Sequence, residues 1–380
     1  MADDMLVKLK TIDSTILNDV VQQSQCSPSF EITEWSVRRL SDKGIMNPDS
    51  LWLLSGKGYD SEGSRPWSVV LKILERQEQE PPLSDMWHWK RELLLVQSGL
   101  TEHLPGPVKA PHFYRINETP DGAWLWMEYV ESRHSGPWAL DDYAFAAHQL
   151  GYWNGACITG VPLPSEPWLA RQHYRTWLSD TNPEQNWQLP LHQKHISDDL
   201  RNRYDRLWAE REMFYSVLEA LPQCFSHFDS QRRNLFIRRG NDEQDELVLV
   251  DWAMCGLGPL GAELYALVGM SSGLMEWPPS ALPELDTAAF GSYLQGLREA
   301  GWSGKADLVR LGYVAWQAIW LGCDFPGYTA WWCIVDRSPI ALKAFGLAEE
   351  ELYLQWLPLL YYSLDCADEA RFLMKKLGLP

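Results

Sequence analysis

Three polar side chains in the stretch SHFDSQRRNLF, residues 226–236, have types and spacing that could do chemistry. His227 and Asp229 are two residues apart, and Asn234 follows five later. An apolar run, LFIRR (235–239), begins at once. After the polar connection GNDEQD (240–245) a second run, ELVLVDW (246–252), ends with Asp251 near its close. Two such runs joined by a short Gly/Asn/Asp-rich loop predict a β-hairpin. The connection and the pair Asn234/Asp251 both centre on position 242.5, so a regular hairpin sets the two residues opposite each other at its open end. Opposed residues there have Cβ atoms about 4.5–5.5 Å apart. An amide oxygen and a carboxylate at that spacing suit a hard divalent cation. Asp229 enters the same end and could accept a proton. Phosphoryl transfer needs this set: a hydroxyl held in line and a cation that neutralises phosphate charge. A hairpin with polar ends and no chemistry shows the same pattern.

The same residues carry a family resemblance. HFDSQRRN followed by LVLVDW resembles the H-x-D-x-x-x-x-N and D-W pair of the aminoglycoside phosphotransferase and choline kinase-like family, small-molecule relatives of the protein kinases. VVLK (69–72) resembles the third-strand lysine motif and points to Lys72; Glu92, twenty residues on, resembles the lysine's ion-pair partner. WMEYV resembles the hinge that receives adenine, which implicates Glu128, Tyr129 and Val130. GLGPLGAEL (256–264) resembles the family's G-x-G-P-x-x-x-(D/E)-L segment. The likeness spans roughly residues 30–270 and is most specific in the hairpin.

The resemblance implies that Asp229 orients or deprotonates the acceptor hydroxyl and that Asn234 and Asp251 bind Mg²⁺. It implies that Lys72, held by Glu92, contacts the α/β-phosphates of ATP, and that His227 braces the loop without acting as the base. Beside it stand plainer readings. Lys72 is a lone charge in SVVLKIL, and a buried lysine needs a partner; an edge-strand lysine is the alternative. Glu92 could be a solvated helix glutamate. Arg232 and Arg233 could neutralise phosphate or face solvent. The sequence also departs from the family. Phe228 stands where many members have glycine, and Ala253 follows Asp251-Trp252 where an acid is frequent. No clear glycine-rich phosphate loop is present: SDKGIMNPD (41–49) has only Gly44, and GKGYDSEG (56–63) reads as a hairpin turn.

The elements that must position these residues fall into two groups. EITEWSVRRL, SLWLLSG, PWSVVLKIL, HFYRI and AWLWMEYV read as strands. One helix interrupts them, SDMWHWKRELLLVQSG, with Ser84 as its cap, Gly99 at its end and Met86, Trp89, Leu93 and Val96 on one face. Beyond Glu131 the pattern is mostly helical, beginning with LDDYAFAAHQLGYWNGAC and ISDDLRNRYDRLWAEREMFYSVLEAL. The expectation is an α+β, bilobal, protein-kinase-like fold. A small antiparallel-sheet N-lobe (1–130) would bind nucleotide. A larger, mainly helical C-lobe (131–380) would carry the catalytic hairpin (224–252) and the acceptor site.

Composition narrows the partners. The 380-residue chain has a net charge of −18, which disfavours nucleic acid and anionic membrane and suits a cationic partner. Its start has no signal-peptide pattern and no apolar run is long enough to span a membrane. Its seven cysteines lack C-x-x-C pairs, which points to reduced thiols, a cytoplasmic setting and no zinc site. The run YVAWQAIWLGCDFPGYTAWWCIVD places Trp316 and Trp320 four apart on a helix, with Asp324, Trp331, Trp332 and Asp336 beyond. Aromatic faces with carboxylates can hold an amine or a sugar. Tyr313, Trp316 and Trp320 read equally as a core stripe.

The expected function is transfer of the γ-phosphate of ATP, with Mg²⁺, to a hydroxyl of a small cationic molecule. An aminoglycoside-like antibiotic, with antibiotic resistance as the role, or an amino alcohol fits. A choline, homoserine or sugar kinase stays open. So does a pseudokinase-type nucleotide- or partner-binding module without turnover, and a helical binding protein whose hairpin is coincidental.

Overall fold

The computed structural model describes residues 2–40, 50–133, 136–160, 162–179, 181, 183–240, 243–333 and 338–379. The candidate phosphate loop 41–49 lies outside them, as does Asp336. The chain divides into two compact units. One comprises residues 1–81, 88–103 and 110–131, the other 82–87, 104–109 and 132–380.

The first unit is built on a five-stranded antiparallel sheet in the order β1-β2-β3-β6-β5. Its strands are β1 (Glu31–Arg39), β2 (Leu51–Asp60), β3 (Gly63–Glu75), β5 (Phe113–Thr119) and β6 (Gly122–Glu128). β2 runs through GKGYD, so the β2–β3 turn shrinks to Ser61 and Glu62. Alternation along β3 sorts its side chains to two faces. Trp67, Val69, Leu71 and Ile73 join Leu17, Val20, Val21 and Trp126 in one apolar cluster. That face is covered by α1 (Ala2–Lys10) and α2 (Ser14–Ser24), two helices the sequence reading left unassigned. Asp13 caps α2 by accepting from the Thr15 N–H at 2.9 Å. Val70 packs on the other face with Leu53, Leu93, Leu125 and Met127.

The helix expected over 84–99 is only α3, Arg91–Gln97. Ser84 does not cap it. Asp85 accepts from the Trp87 N–H and His88 Nδ1 from the Lys90 N–H, two local turns that compete with helical hydrogen bonding. Gly99, with φ 74°, does follow its end.

The second unit is mainly helical. Its long helices are α4 (Leu140–Thr159) and those over Asp198–Ala220, Leu282–Glu299, Ala306–Gln317 and Glu349–Leu377. Two small sheets lie among them. One has the order β4 (Val108–Lys109), β10 (Asp245–Leu249), β9 (Leu235–Arg239); the other β7 (Ala170–Arg171), β11 (Gly256–Pro259), β8 (Gln223–Ser226). Two π-helical segments, Tyr265–Met270 and Ala318–Gly322, interrupt the helical run. No described helix is long and apolar enough to cross a membrane.

Candidate active site

In the first unit, Lys72 lies on the face of β3 that carries Val70, and α3 brings Glu92 to it. The two form an ion pair with only 7% and 1% of their surfaces exposed. A lysine this buried needs its counter-charge, since desolvation alone would favour the neutral form. In the same unit an open cleft of about 700 Å³ is lined by residues that include Arg38, Leu53, Ser55, Trp67, Ser68, Glu128 and Tyr129. Lys72 does not line this cleft. Glu128 ends β6 and its carboxylate accepts from the His112 N–H at 3.1 Å. Tyr129 packs on the Leu93 cluster, and Val130 is buried.

In the second unit, β8 delivers the chain to the loop 227–231. The Asn154 amide of α4 donates to the Phe225 carbonyl at 3.1 Å and accepts from the Tyr293 hydroxyl at 2.6 Å, which fixes that strand. His227 is wholly buried and both ring nitrogens are engaged. Nε2 meets the Val250 carbonyl at 3.1 Å, and Nδ1 meets the Asp229 N–H at 3.2 Å. This pattern demands the neutral tautomer protonated on Nε2. The ring also stands edge-on to Trp252 at 4.6 Å. His227 therefore shapes the loop.

Asp229 and Asn234 meet directly. The Asn234 Nδ2 donates to the Asp229 main-chain carbonyl at 2.9 Å and to its Oδ2 at 2.7 Å. Both bonds need an amide nitrogen, so Oδ1 of Asn234 is the atom left to bind a cation. The Gln231 Nε2 donates to the other Asp229 oxygen, Oδ1, at 2.9 Å.

Asp251 is not opposite Asn234. The hairpin pairs Arg239 with Asp245 and Leu235 with Leu249, a register centred on 242, and the Val250 N–H donates to the Asn234 carbonyl at 3.0 Å. Asn234 thus faces Val250, and Asp251 falls one residue past the end. A one-residue offset moves a side chain to the other face of a ladder. Asp251 leaves the strand geometry altogether, with φ 63° and ψ 70° in the left-handed region. A non-glycine residue held there is uncommon, and such outliers cluster at functional sites.

Glu263 closes the loop from below. Its Oε1 accepts from the main-chain N–H groups of His227 and Phe228, and its Oε2 accepts from the Ser230 hydroxyl at 2.7 Å. Burial pushes its carboxyl up to about 7 against those three donors. The G-x-G-P segment was the sequence signal for Glu263. The arginines beside the loop are engaged: Arg233 pairs with Glu276 at 2.6 Å, and Arg232 lies over the Trp138 ring at 4.6 Å.

Residues 62–302, which hold this loop, the hairpin and the Lys72–Glu92 pair, match the model of the phosphotransferase enzyme family. The chain belongs to that family. It is a small-molecule phosphotransferase with a protein-kinase-like fold. The phosphotransferase is similar, at 14% identity and a TM-score of 0.50, to an aminoglycoside phosphotransferase from Alicyclobacillus acidocaldarius; the likeness covers 90% of this chain and 93% of that one. It is also similar to a microcompartment-associated aminopropanol kinase (14% identity, TM-score 0.49, 97% and 99% covered). A choline/ethanolamine kinase family protein from Mesorhizobium loti is a third (15% identity, TM-score 0.46, 96% and 99% covered). No curated protein matches the chain.

An aromatic wall of the phosphotransferase runs from the loop to Asp324. The Tyr265 hydroxyl donates to the Phe228 carbonyl at 2.8 Å. Its ring lies 5.1 Å from Trp320, which stacks on Trp177 at 4.8 Å, which meets Trp87 at 5.3 Å. Tyr313, Trp316 and Trp320 are core, each exposed by 2% or less, whereas Trp87 and Trp331 are 43% and 44% exposed. Packing pushes the Asp324 carboxyl up to about 7, partly offset by the Trp177 indole. No lysine or arginine among the described residues pairs with Asp324. The sequence reading missed Trp177, Trp87 and Gln231, because nothing in their spacing ties them to the motif.

Proposed function

We propose that this phosphotransferase moves the γ-phosphate of ATP to a hydroxyl of a small cationic molecule, with Mg²⁺ as cofactor. The observation that carries this reading is the Asn234 amide: its nitrogen is committed to Asp229, and its oxygen is left for a cation. No three His, Cys, Asp or Glu side chains cluster as a metal cage among the described residues. The Asn234 amide oxygen and the Asp251 carboxylate would hold a magnesium ion, a hard cation that needs few protein ligands beside phosphate and water. The bound ion would neutralise phosphate charge. In this reading Asp229, held by two amide donors, orients the attacking hydroxyl and takes up its proton. Lys72, fixed by Glu92, holds the α/β-phosphates, and Glu128, Tyr129 and Val130 receive the adenine.

The acceptor's cationic group is assigned to Asp324 and the Trp177–Trp320 stack. A carboxylate desolvated by burial beside the Trp177 indole, with no lysine or arginine partner among the described residues, favours an ammonium. An amino alcohol or an aminoglycoside-like antibiotic has both the charge and the hydroxyl. Dependence on ATP makes the cytoplasm its place of action.

The test is ADP release from ATP and Mg²⁺ across aminoglycosides, amino alcohols, nucleosides and neutral sugars, with Asp229→Asn as control. Release that needs an amine-bearing alcohol and vanishes in the variant supports the reading. Release with neutral sugars alone removes the cationic acceptor; ATP binding without release on any compound favours a pseudokinase.

A further inference from the structure

Gln231 sits between the two residues that phosphoryl transfer uses most directly. Its main-chain carbonyl accepts from the Asn234 N–H at 2.9 Å, and its side-chain Nε2 donates to the Asp229 Oδ1 at 2.9 Å. With the Asn234 Nδ2 on Oδ2 at 2.7 Å, each oxygen of the Asp229 carboxylate has its own amide donor. One donor would leave the carboxylate free to swing, because the terminal torsion of aspartate is broad. Two donors on opposite oxygens fix its plane. The amide of Gln231 has one workable orientation, since its oxygen against the carboxylate would set two acceptors face to face. That orientation leaves Oε1 buried with no hydrogen-bond partner. A leucine of similar size would avoid this cost. The glutamine is therefore poor packing and good geometry.

We propose that Gln231 is a positioning residue: its side-chain amide locks the Asp229 carboxylate so that one defined lone pair faces the attacking hydroxyl. This rests on the reading of Asp229 given above. The 3₁₀ turn Arg232–Asn234 depends on the main-chain carbonyl of Gln231, so side-chain variants keep it.

The experiment measures steady-state hydrolysis of MgATP, with water as the acceptor, in an assay sensitive to slow rates, together with thermal unfolding. Gln231→Leu should lower kcat about 10- to 100-fold, the scale of a misplaced catalytic group. Its KM for MgATP should stay within about twofold and its Tm should not fall. Gln231→Lys, which restores a donor, should recover most of the rate. Gln231→Glu, which sets carboxylate against carboxylate, should fall below the leucine variant. A packing role predicts the reverse order, leucine above lysine. Wild-type kcat in Gln231→Leu, equal losses in the leucine and lysine variants, or a change confined to KM would overturn the proposal. If the wild type neither binds nor hydrolyses MgATP, the phosphotransfer reading of Asp229 fails first. If Asp229→Asn abolishes hydrolysis and Gln231→Leu does not lower it, only the role of Gln231 fails.

Discussion

The ring of Phe228 lies parallel to that of Trp316, with centroids 4.9 Å apart and 5° between the planes. This contact accounts for a phenylalanine at a position where φ is 60°. L side chains resist that conformation by about 1–2 kcal/mol, and many relatives place glycine there. Phe228 is fully buried and fills the space above Gly258, whose added Cβ would come within 2.4 Å of the ring. Truncating a buried phenylalanine costs about 3–5 kcal/mol, which exceeds the strain. Both Phe228→Ala and Phe228→Gly should therefore destabilise, but their usual order should invert. Glycine sheds the strain and alanine keeps it, so the glycine variant should be the more stable by about 1 kcal/mol in urea unfolding.

Asp251→Asn offers a clean separation of charge from backbone. Asparagine tolerates the left-handed region that Asp251 occupies. Its Tm should match the wild type while Mg²⁺-dependent turnover falls by at least about 100-fold. Full activity would remove Asp251 from the metal site. Asp251→Ala should lose stability as well, because it adds strain.

The buried Lys72–Glu92 pair makes a double-variant prediction. Glu92→Leu alone strands a buried cation and should cost about 3–5 kcal/mol in equilibrium unfolding. Adding Lys72→Met should restore most of that stability, since an apolar pair of similar volume is often neutral. It should not restore turnover. Recovery of both would mean that Lys72 serves the fold alone.

Glu263 and Asp324 set a pH dependence. Both carboxyls are raised to about 7 by burial. A raised acid holds its proton in the folded state when the unfolded chain has released it. Each contribution is thus fully present below the unfolded value near 4.5 or 3.8 and is lost as pH rises to about 7. Chemical denaturation from pH 4 to 8 should show that decline superimposed on the other titrations, and Glu263→Gln should flatten part of it. If Asp324 receives the acceptor's ammonium, the acceptor KM should fall as pH rises through about 7, and Asp324→Asn should abolish the trend.

The sheet and its lysine were legible because the constraints are local. A charge inside SVVLKIL must find a partner, and alternation fixes which face it shares with Val70. The hairpin was legible as an element but not in register. Its connection is one residue shorter than the polar composition suggests, since Asp245 already pairs with Arg239. That half-step moved Asp251 out of opposition, and its left-handed backbone has no sequence signature beyond aspartate's tolerance of it. The helix at 84–99 had the right apolar spacing, but turns centred on Asp85 and His88 took its first residues. The loop's supports were least legible. Glu263 lies 36 residues from the N–H of His227 that it holds, and Trp177 reaches Trp320 across 143 residues of chain. Tertiary packing alone brings them together.

The two π-helical segments are packed against each other: a Cβ on Gly269 would come within 2.2 Å of the Gln317 Oε1 and 2.7 Å of Leu321. A π turn is an α-helix that has absorbed an extra residue. Two neighbouring helices have each absorbed one, at facing positions, in the segments that carry Tyr265 and Trp320, which link the loop 227–231 to Trp177. Across the lineage these should be paired historical events. A relative that lacks one inserted residue should lack the other, and single-residue gaps near 267 and 320 should appear and vanish together in alignments.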